Sequence, residues 1–162
     1  MLIVNYFILT LTAKYLLREE PVFLTMNNSI LRPQALSTDL AALFLRLIVG
    51  CLFIRVGYMK LTAYDEMLTM FGDPIGIGTK LSVILVIFAE FFCGIFVTLG
   101  FLTRLSIIPI FITMVVAYFV AHAKDAFDMK ALPFVYMLLC TVIFILGSGR
   151  YSVDGLMFRD NR

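Results

Sequence analysis

The stretch Asp39–Leu61, DLAALFLRLIVGCLFIRVGYMKL, decides the fold. Its 23 residues are nearly all apolar, and as a helix rising 1.5 Å per residue they reach roughly 34 Å. The hydrocarbon core of a bilayer is about 30 Å thick and needs roughly 20 apolar residues to cross it. Ser37, Thr38 and Asp39 offer N-cap side chains just before the run. Three more runs of the same kind follow, at Lys80–Leu102, Leu105–Ala121 and Ala131–Leu146. The expectation is an all-α protein, a transmembrane four-helix bundle.

Composition agrees. The 162-residue chain is 62% hydrophobic and 15% charged, with a mean hydropathy of +1.00, well outside the range of soluble domains. With no Trp among its aromatics, the interfacial belt falls to tyrosines near span ends, Tyr58, Tyr64, Tyr118 and Tyr151. A net charge of +2 and the lack of any basic run interleaved with aromatics exclude nucleic acid as a partner; the partner read from composition is the lipid bilayer. One histidine, His122, excludes bis-histidine haem and histidine-rich metal sites, so no metal is expected; at the end of a span it reads as an interface residue. Cys51, Cys93 and Cys140 sit singly in three different runs, which reads as three small buried hydrophobes.

Lys and Arg in short loops set the orientation. Lys14, Arg18, Arg32, Arg104, Arg150, Arg159 and Arg162 fall on the side of both termini. Lys60, Lys80, Lys124 and Lys130 on the other side are diluted by five acidic residues. Both termini are expected in the cytoplasm. Residues 1–38 read as an N-terminal extension and tail, and residues 39–158 as the membrane domain. The apolar run at 1–17 lacks the basic start and small-residue cleavage site of a signal peptide. Met26, opening the polar Asn27-Asn28-Ser29, is the expected natural start, with 1–25 an upstream extension; the alternative is an interfacial helix.

Ionisable residues inside the spans are where specific behaviour is to be sought, because charge at that depth must pair, snorkel or line a polar cavity. At 100° per residue Arg46, Gly50, Phe53, Gly57 and Lys60 share one face of the first span. Arg55 points half a turn away and can snorkel to the outer end. Glu90 lies near mid-depth of the second span, with Gly94 one turn on. Counting from the span ends leaves Arg46 and Glu90 offset by roughly 7 Å along the axis. The expectation is a buried Arg46–Glu90 pair, with Lys60 or Arg55 competing from the outer side. Such a pair serves either to fix helix register or to organise a proton, quinone or anion site. Ser152-x-Asp154 after Gly149 reads as a turn whose short polar side chains hold the backbone.

Three motifs in order resemble the DoxX family. Leu45-Arg46-Leu47, Gly50, Leu52-Phe53 and Gly57-Tyr-Met-Lys60-Leu61 look like its first helix; Glu90, Gly94 and Leu99-Gly100-Phe-Leu-Thr-Arg104-Leu are similar to its second helix and exit turn; Gly147-Ser-Gly149-Arg150-Tyr151-Ser152-Val-Asp154 resembles its C-terminal signature. The resemblance implies a small four-helix bacterial membrane protein, here of the inner membrane. The family takes its name from a subunit of a thiosulfate:quinone oxidoreductase, and some members are tied to oxidative-stress complexes. Two positions depart from its pattern: Val56 stands where many members have a His, and Lys130-Ala131 where an acidic residue often opens the last helix.

The leading expectation is an accessory subunit of a quinone-linked or stress-related redox complex, with Arg46 and Glu90 organising a polar site. No redox group is visible in the sequence, so electrons would come from a redox partner subunit or a bound quinone, and whether the chain is itself an enzyme stays open. The alternatives are a carrier or binder of a small anion or lipid, with Arg46 as counter-charge, and an assembly factor without catalysis.

Overall fold

The structure, a computed structural model, describes residues 37–157. The readings placed on the N-terminal extension, on Met26 and on Arg159 and Arg162 lie outside the described residues.

Four helices are long and apolar enough to cross a membrane: α1 Thr38–Thr62, α3 Thr79–Leu99, α4 Thr103–Ala121 and α5 Phe127–Leu146. Two short helices join them, α2 Tyr64–Met70 in the first loop and α6 Val153–Met157 near the end. Ser37 opens α1 as expected, its hydroxyl accepting from the Leu40 N–H. The four long helices run up and down as neighbours, α1 beside α3, α3 beside α4, α4 beside α5 and α5 back against α1. One end of this bundle carries Ser37, the 100–102 turn and the 147–157 segment. It is called the tail end here, and the opposite one, with the 63–78 and 122–126 connections, the loop end.

The seam between α1 and α3 is built on glycine. A methyl group added at Gly57 would lie 2.5 Å from the Phe91 nitrogen, and one at Gly50 would lie 3.0 Å from the Gly94 carbonyl oxygen. A methyl at Gly94 would in turn meet the Ile54 nitrogen at 3.2 Å. Small residues let the backbones touch, which is how helices gain contact energy where lipid offers no hydrophobic drive. Val49 and Phe53 continue the seam into a core completed by Cys93, Val97, Ile107, Ile110, Met114, Cys140 and Ile143. Outward-facing positions such as Phe44, Leu105, Leu132 and Ile145 are exposed, as lipid-facing side chains should be.

Several boundaries differ from the sequence reading. The last span starts at Phe127, four residues before Ala131, so Asp128 sits in its first turn and Pro133 inside it. Seven residues of the first loop coil into α2. Two long helices widen locally into π turns, Phe88–Phe92 in α3 and Ala117–Ala121 at the end of α4. Cys93 and Cys140 are buried, but Cys51 is exposed: it faces outward beside Leu52, where a thiol is tolerated by lipid as readily as by a core.

Candidate functional site

Two buried charges, Arg46 and Glu90, organise opposite ends of the bundle, and they do not meet. The glycine contacts fix the register of α1 on α3. Gly57 stands against the Glu90–Phe91 backbone, while the Gly100 turn packs on the Arg46 guanidinium. Arg46 and Gly57 are eleven residues apart in α1, which is roughly 16 Å along the helix. The expected Arg46–Glu90 pair is therefore corrected. Counting inward from the span ends took α1 and α3 as level. In fact Gly57 facing Phe91 puts Leu99 level with Val49, so α1 starts about three turns beyond the end of α3, and the 147–157 segment packs against that overhang: a methyl at Gly149 would touch Ala42 at 3.3 Å.

At the tail end, Arg46 is 1% exposed. Its Nη2 donates to the Tyr151 carbonyl at 2.7 Å and its Nη1 to the Val97 carbonyl at 3.5 Å. Asp154 acts on the same guanidinium through space. The Asp154 carboxylate accepts from the Leu102 N–H (2.7 Å), the Thr103 N–H (3.1 Å) and the Thr103 hydroxyl (3.3 Å), and the Asp154 N–H donates to the Gly100 carbonyl at 3.0 Å. It thereby caps the start of α4 and holds Leu102 at φ 46°, a left-handed conformation costly for any residue with a side chain. Gly100, at φ 73°, makes the same turn without that cost. Ser152 Oγ donates to the Gly149 carbonyl (2.7 Å) and accepts from the Gly155 N–H (2.9 Å), and Asp39 accepts from the Arg150 N–H at 2.9 Å. Gly147 turns at φ 74° beside the Arg104 guanidinium, 3.5 Å from where its methyl would be. Arg46, Gly100, Gly149, Arg150 and Asp154 are thus one latch that ties the C-terminal segment to α1 and to the α3–α4 turn.

At the loop end the chemistry is less complete. Lys60 Nζ donates to Glu90 Oε1 at 2.6 Å, and the side chains are 25% and 2% exposed. Lys60 comes from the last turn of α1, and its long stem carries the ammonium back toward the Gly57 level. Glu90 comes from the π turn of α3, a feature often found at functional sites because it redirects one residue of a helix. The second carboxylate oxygen, Oε2, is buried and has no hydrogen-bond donor among the described residues. Arg55, the other competitor expected for Glu90, is exposed and forms no ion pair among the described residues.

Lys60 and Glu90 both line a cavity of about 360 Å³ in the loop-end half of the bundle. Its walls are apolar, with Phe53 and Val56 from α1, Leu85 and Val86 from α3, Val116 and Ala117 from α4, and Leu132 and Pro133 from α5. Phe71, Pro74 and Ile75 of the first loop line it too. That volume lies in the range of about 300–1,000 Å³ typical of small-molecule sites, which are mostly apolar with a few placed polar groups. Here the polar groups besides the ion pair are Ser82, Thr113, His122 and Tyr136. The Thr113 hydroxyl donates to its own helix at the Pro109 carbonyl. Ser82 Oγ donates to Asp73, and the His122 Nδ1 is 2.7 Å from Asp125 Oδ2, which leaves Nε2 for other partners.

Asp73 holds the first loop in shape. Its carboxylate accepts from the Gly78 N–H at 2.8 Å and the Ile77 N–H at 3.0 Å, and from Ser82 Oγ at 3.3 Å. The Gly78 bond is the main reason its carboxyl is held below the usual carboxylate range; those of Ile77, Ser82 and Gly76 add to it, against a smaller opposing effect of burial.

Sequence reasoning picked out Arg46, Lys60, Glu90 and the glycines at 57, 94 and 100. It missed Asp73, Ser82 and Tyr136. No spacing signal links these to Glu90; only a π turn and a loop fold bring them together. Asp39, read as a cap of α1, is also the partner of Arg150 across 111 residues, which no local pattern could announce.

Comparison with known proteins agrees with this architecture. The DoxX family model matches residues 41–123, a stretch that contains Arg46, Gly57, Lys60, Glu90, Gly94, Gly100 and Arg104 and stops before the C-terminal latch residues. Inner membrane protein YqjF of Escherichia coli (strain K12) is 31% identical over 126 residues, covering 74% of this chain and 93% of the relative. No solved structure matches the chain. With a match over half its length and a relative aligned over most of both sequences, this four-span protein belongs to the DoxX family.

Proposed function

We propose that this chain is an inner-membrane accessory subunit of a redox complex, and that its loop-end cavity holds the head of a lipid-soluble quinone for a redox partner subunit. The observation that carries the reading is the cavity itself, apolar on its walls and lined by the Lys60–Glu90 pair. A quinone ring suits apolar walls, and its carbonyl can accept one of the two ammonium N–H groups that Lys60 keeps after bonding Glu90. The quinone would supply the electron chemistry when bound. The chain's own contribution is to bind and orient the ring and to hold a charge pair beside its oxygen atoms.

The relative's name supports the inner membrane as the location. Loop charges support a cytoplasmic tail end, which carries Arg104 and Arg150, against a loop end whose Lys residues are diluted by Asp65, Glu66, Asp73, Asp125 and Asp128. The cavity then lies in the outer half of the bilayer. A carrier that uses Arg46 as counter-charge has less support, because Arg46 is spent on the Tyr151 and Val97 carbonyls.

The test is ligand-dependent stability in mild detergent. A ligand that binds only the folded state raises the unfolding midpoint in proportion to its occupancy. A short-tail ubiquinone should raise the midpoint of the wild-type chain and move that of Val116→Phe, whose larger side chain narrows the cavity, much less. Equal behaviour of the two proteins, or no shift in either, would remove the reading.

A further inference from the structure

Resting on that reading of the cavity, we infer that the site is built for the reduced, hydroxyl-bearing member of the quinone couple: Glu90 Oε2 is an acceptor in wait of a donor. Glu90 is 2% exposed and lines the cavity. Its Oε1 accepts from Lys60 Nζ at 2.6 Å, a charge-assisted bond that favours the carboxylate over the acid. A carboxylate only accepts hydrogen bonds. Its Oε2 is buried and has no donor among the described residues, a situation that disfavours the protein alone.

None of the polar groups around the cavity, Tyr136 included, donates to Oε2. Lys60 donates to Oε1 and the Ser82 hydroxyl to Asp73. The Thr113 hydroxyl donates to Pro109, and the His122 Nδ1 is engaged by Asp125. A ligand that brings its own O–H completes the set: one phenolic hydroxyl donates to Oε2 while its oxygen accepts from Lys60. A quinone offers carbonyl acceptors alone, so it pairs with Lys60 and leaves Oε2 as it was. Hydrogen bonds to a charged partner in a buried site carry enough free energy to separate the two forms by about 10- to 100-fold in affinity.

The experiment compares three short-tail ligands of the same ring and tail under anaerobic conditions, with the full chain in detergent: the ubiquinone, its ubiquinol, and the dimethyl ether of that ubiquinol. The ether keeps the shape and the apolar surface but has no hydroxyl. Dissociation constants come from the ligand dependence of the unfolding midpoint. The expected order is ubiquinol tightest, by at least about tenfold over both others. Glu90→Gln, whose amide donates as well as accepts, should bring ubiquinol and ubiquinone to within about threefold of each other. Equal binding of ubiquinol and its dimethyl ether overturns the inference while leaving the cavity reading intact, and so does tighter binding of the quinone. Binding of none of the three overturns both. Should Glu90→Gln fail to fold, the ether comparison in the wild-type chain decides by itself.

Discussion

Arg46 and Glu90 are buried to the same degree, 1% and 2% exposed, yet their surroundings differ in kind. Around Arg46 the chain closes on itself: the Tyr151 and Val97 carbonyls take two of its nitrogens, and the 147–157 segment lies over the overhang of α1. Among the described residues its Nε has no acceptor. Around Glu90 the chain stays open, with one carboxylate oxygen bonded, the other orphaned, and a cavity alongside. A buried charge by itself therefore does not mark a site. A charge that the fold closes over, with its contacts made to the chain itself, is a fastening; a charge with a bonding atom left free beside a cavity can take a ligand.

The comparison can be broken most sharply at the fastening. Arg46→Leu deprives the Val97 and Tyr151 carbonyls of a charged donor and is expected to lower stability by about 3 kcal/mol. The loss should appear in detergent unfolding together with faster proteolysis of the 147–157 segment, while short-tail ubiquinone or ubiquinol should still raise the midpoint. Loss of that ligand effect with the tail still protected would show that Arg46 belongs to the cavity and that the two ends are one site.

A smaller effect is expected at the loop end. Lys60→Met strands the Glu90 carboxylate; because the Lys60 side chain is a quarter exposed, the cost should be about 2 kcal/mol rather than the larger figure of a fully buried pair. Adding Glu90→Leu should recover at least about 1 kcal/mol, since the two side chains are coupled. Combined with Arg46→Leu, the same Glu90→Leu change should be additive to within about 0.5 kcal/mol. A clear coupling between positions 46 and 90 would contradict the register set by Gly57.

The smallest expected effect is in the loop beside the cavity. The folded-state pKa of Asp73 is depressed, chiefly by the Gly78 N–H, so the unfolded loop binds the proton more readily. The stabilisation is fully present above the usual carboxylate pKa of about 3.9 and is lost as pH falls through the lower folded value. Exchange of the Ile77 and Gly78 amides, corrected for intrinsic rates, should show protection that is constant from neutral pH down to about 4 and falls below it. Asp73→Asn should flatten that step. A step of unchanged size in the variant would assign it to another group.

Four spans, their approximate limits, the glycine face of α1 and the membership of Arg46, Lys60 and Glu90 in buried seams were legible in the residues. Those features follow from local rules, since length and hydropathy meet a fixed bilayer thickness and helical phase puts 46, 50, 57 and 60 on one face. The pairing of the charges was not legible. It depends on the axial stagger of α1 against α3, which Gly57, Gly50 and Gly94 set by backbone contact, and on a π turn that hydropathy cannot reveal. A shift of one helical turn along the axis is only about 5.4 Å, small against the length of a span but larger than any hydrogen bond. Hydropathy does not fix the stagger of one span against the next to within such a turn. Which carboxylate meets which ammonium, and where a cavity is left beside them, was decided only when the four helices packed.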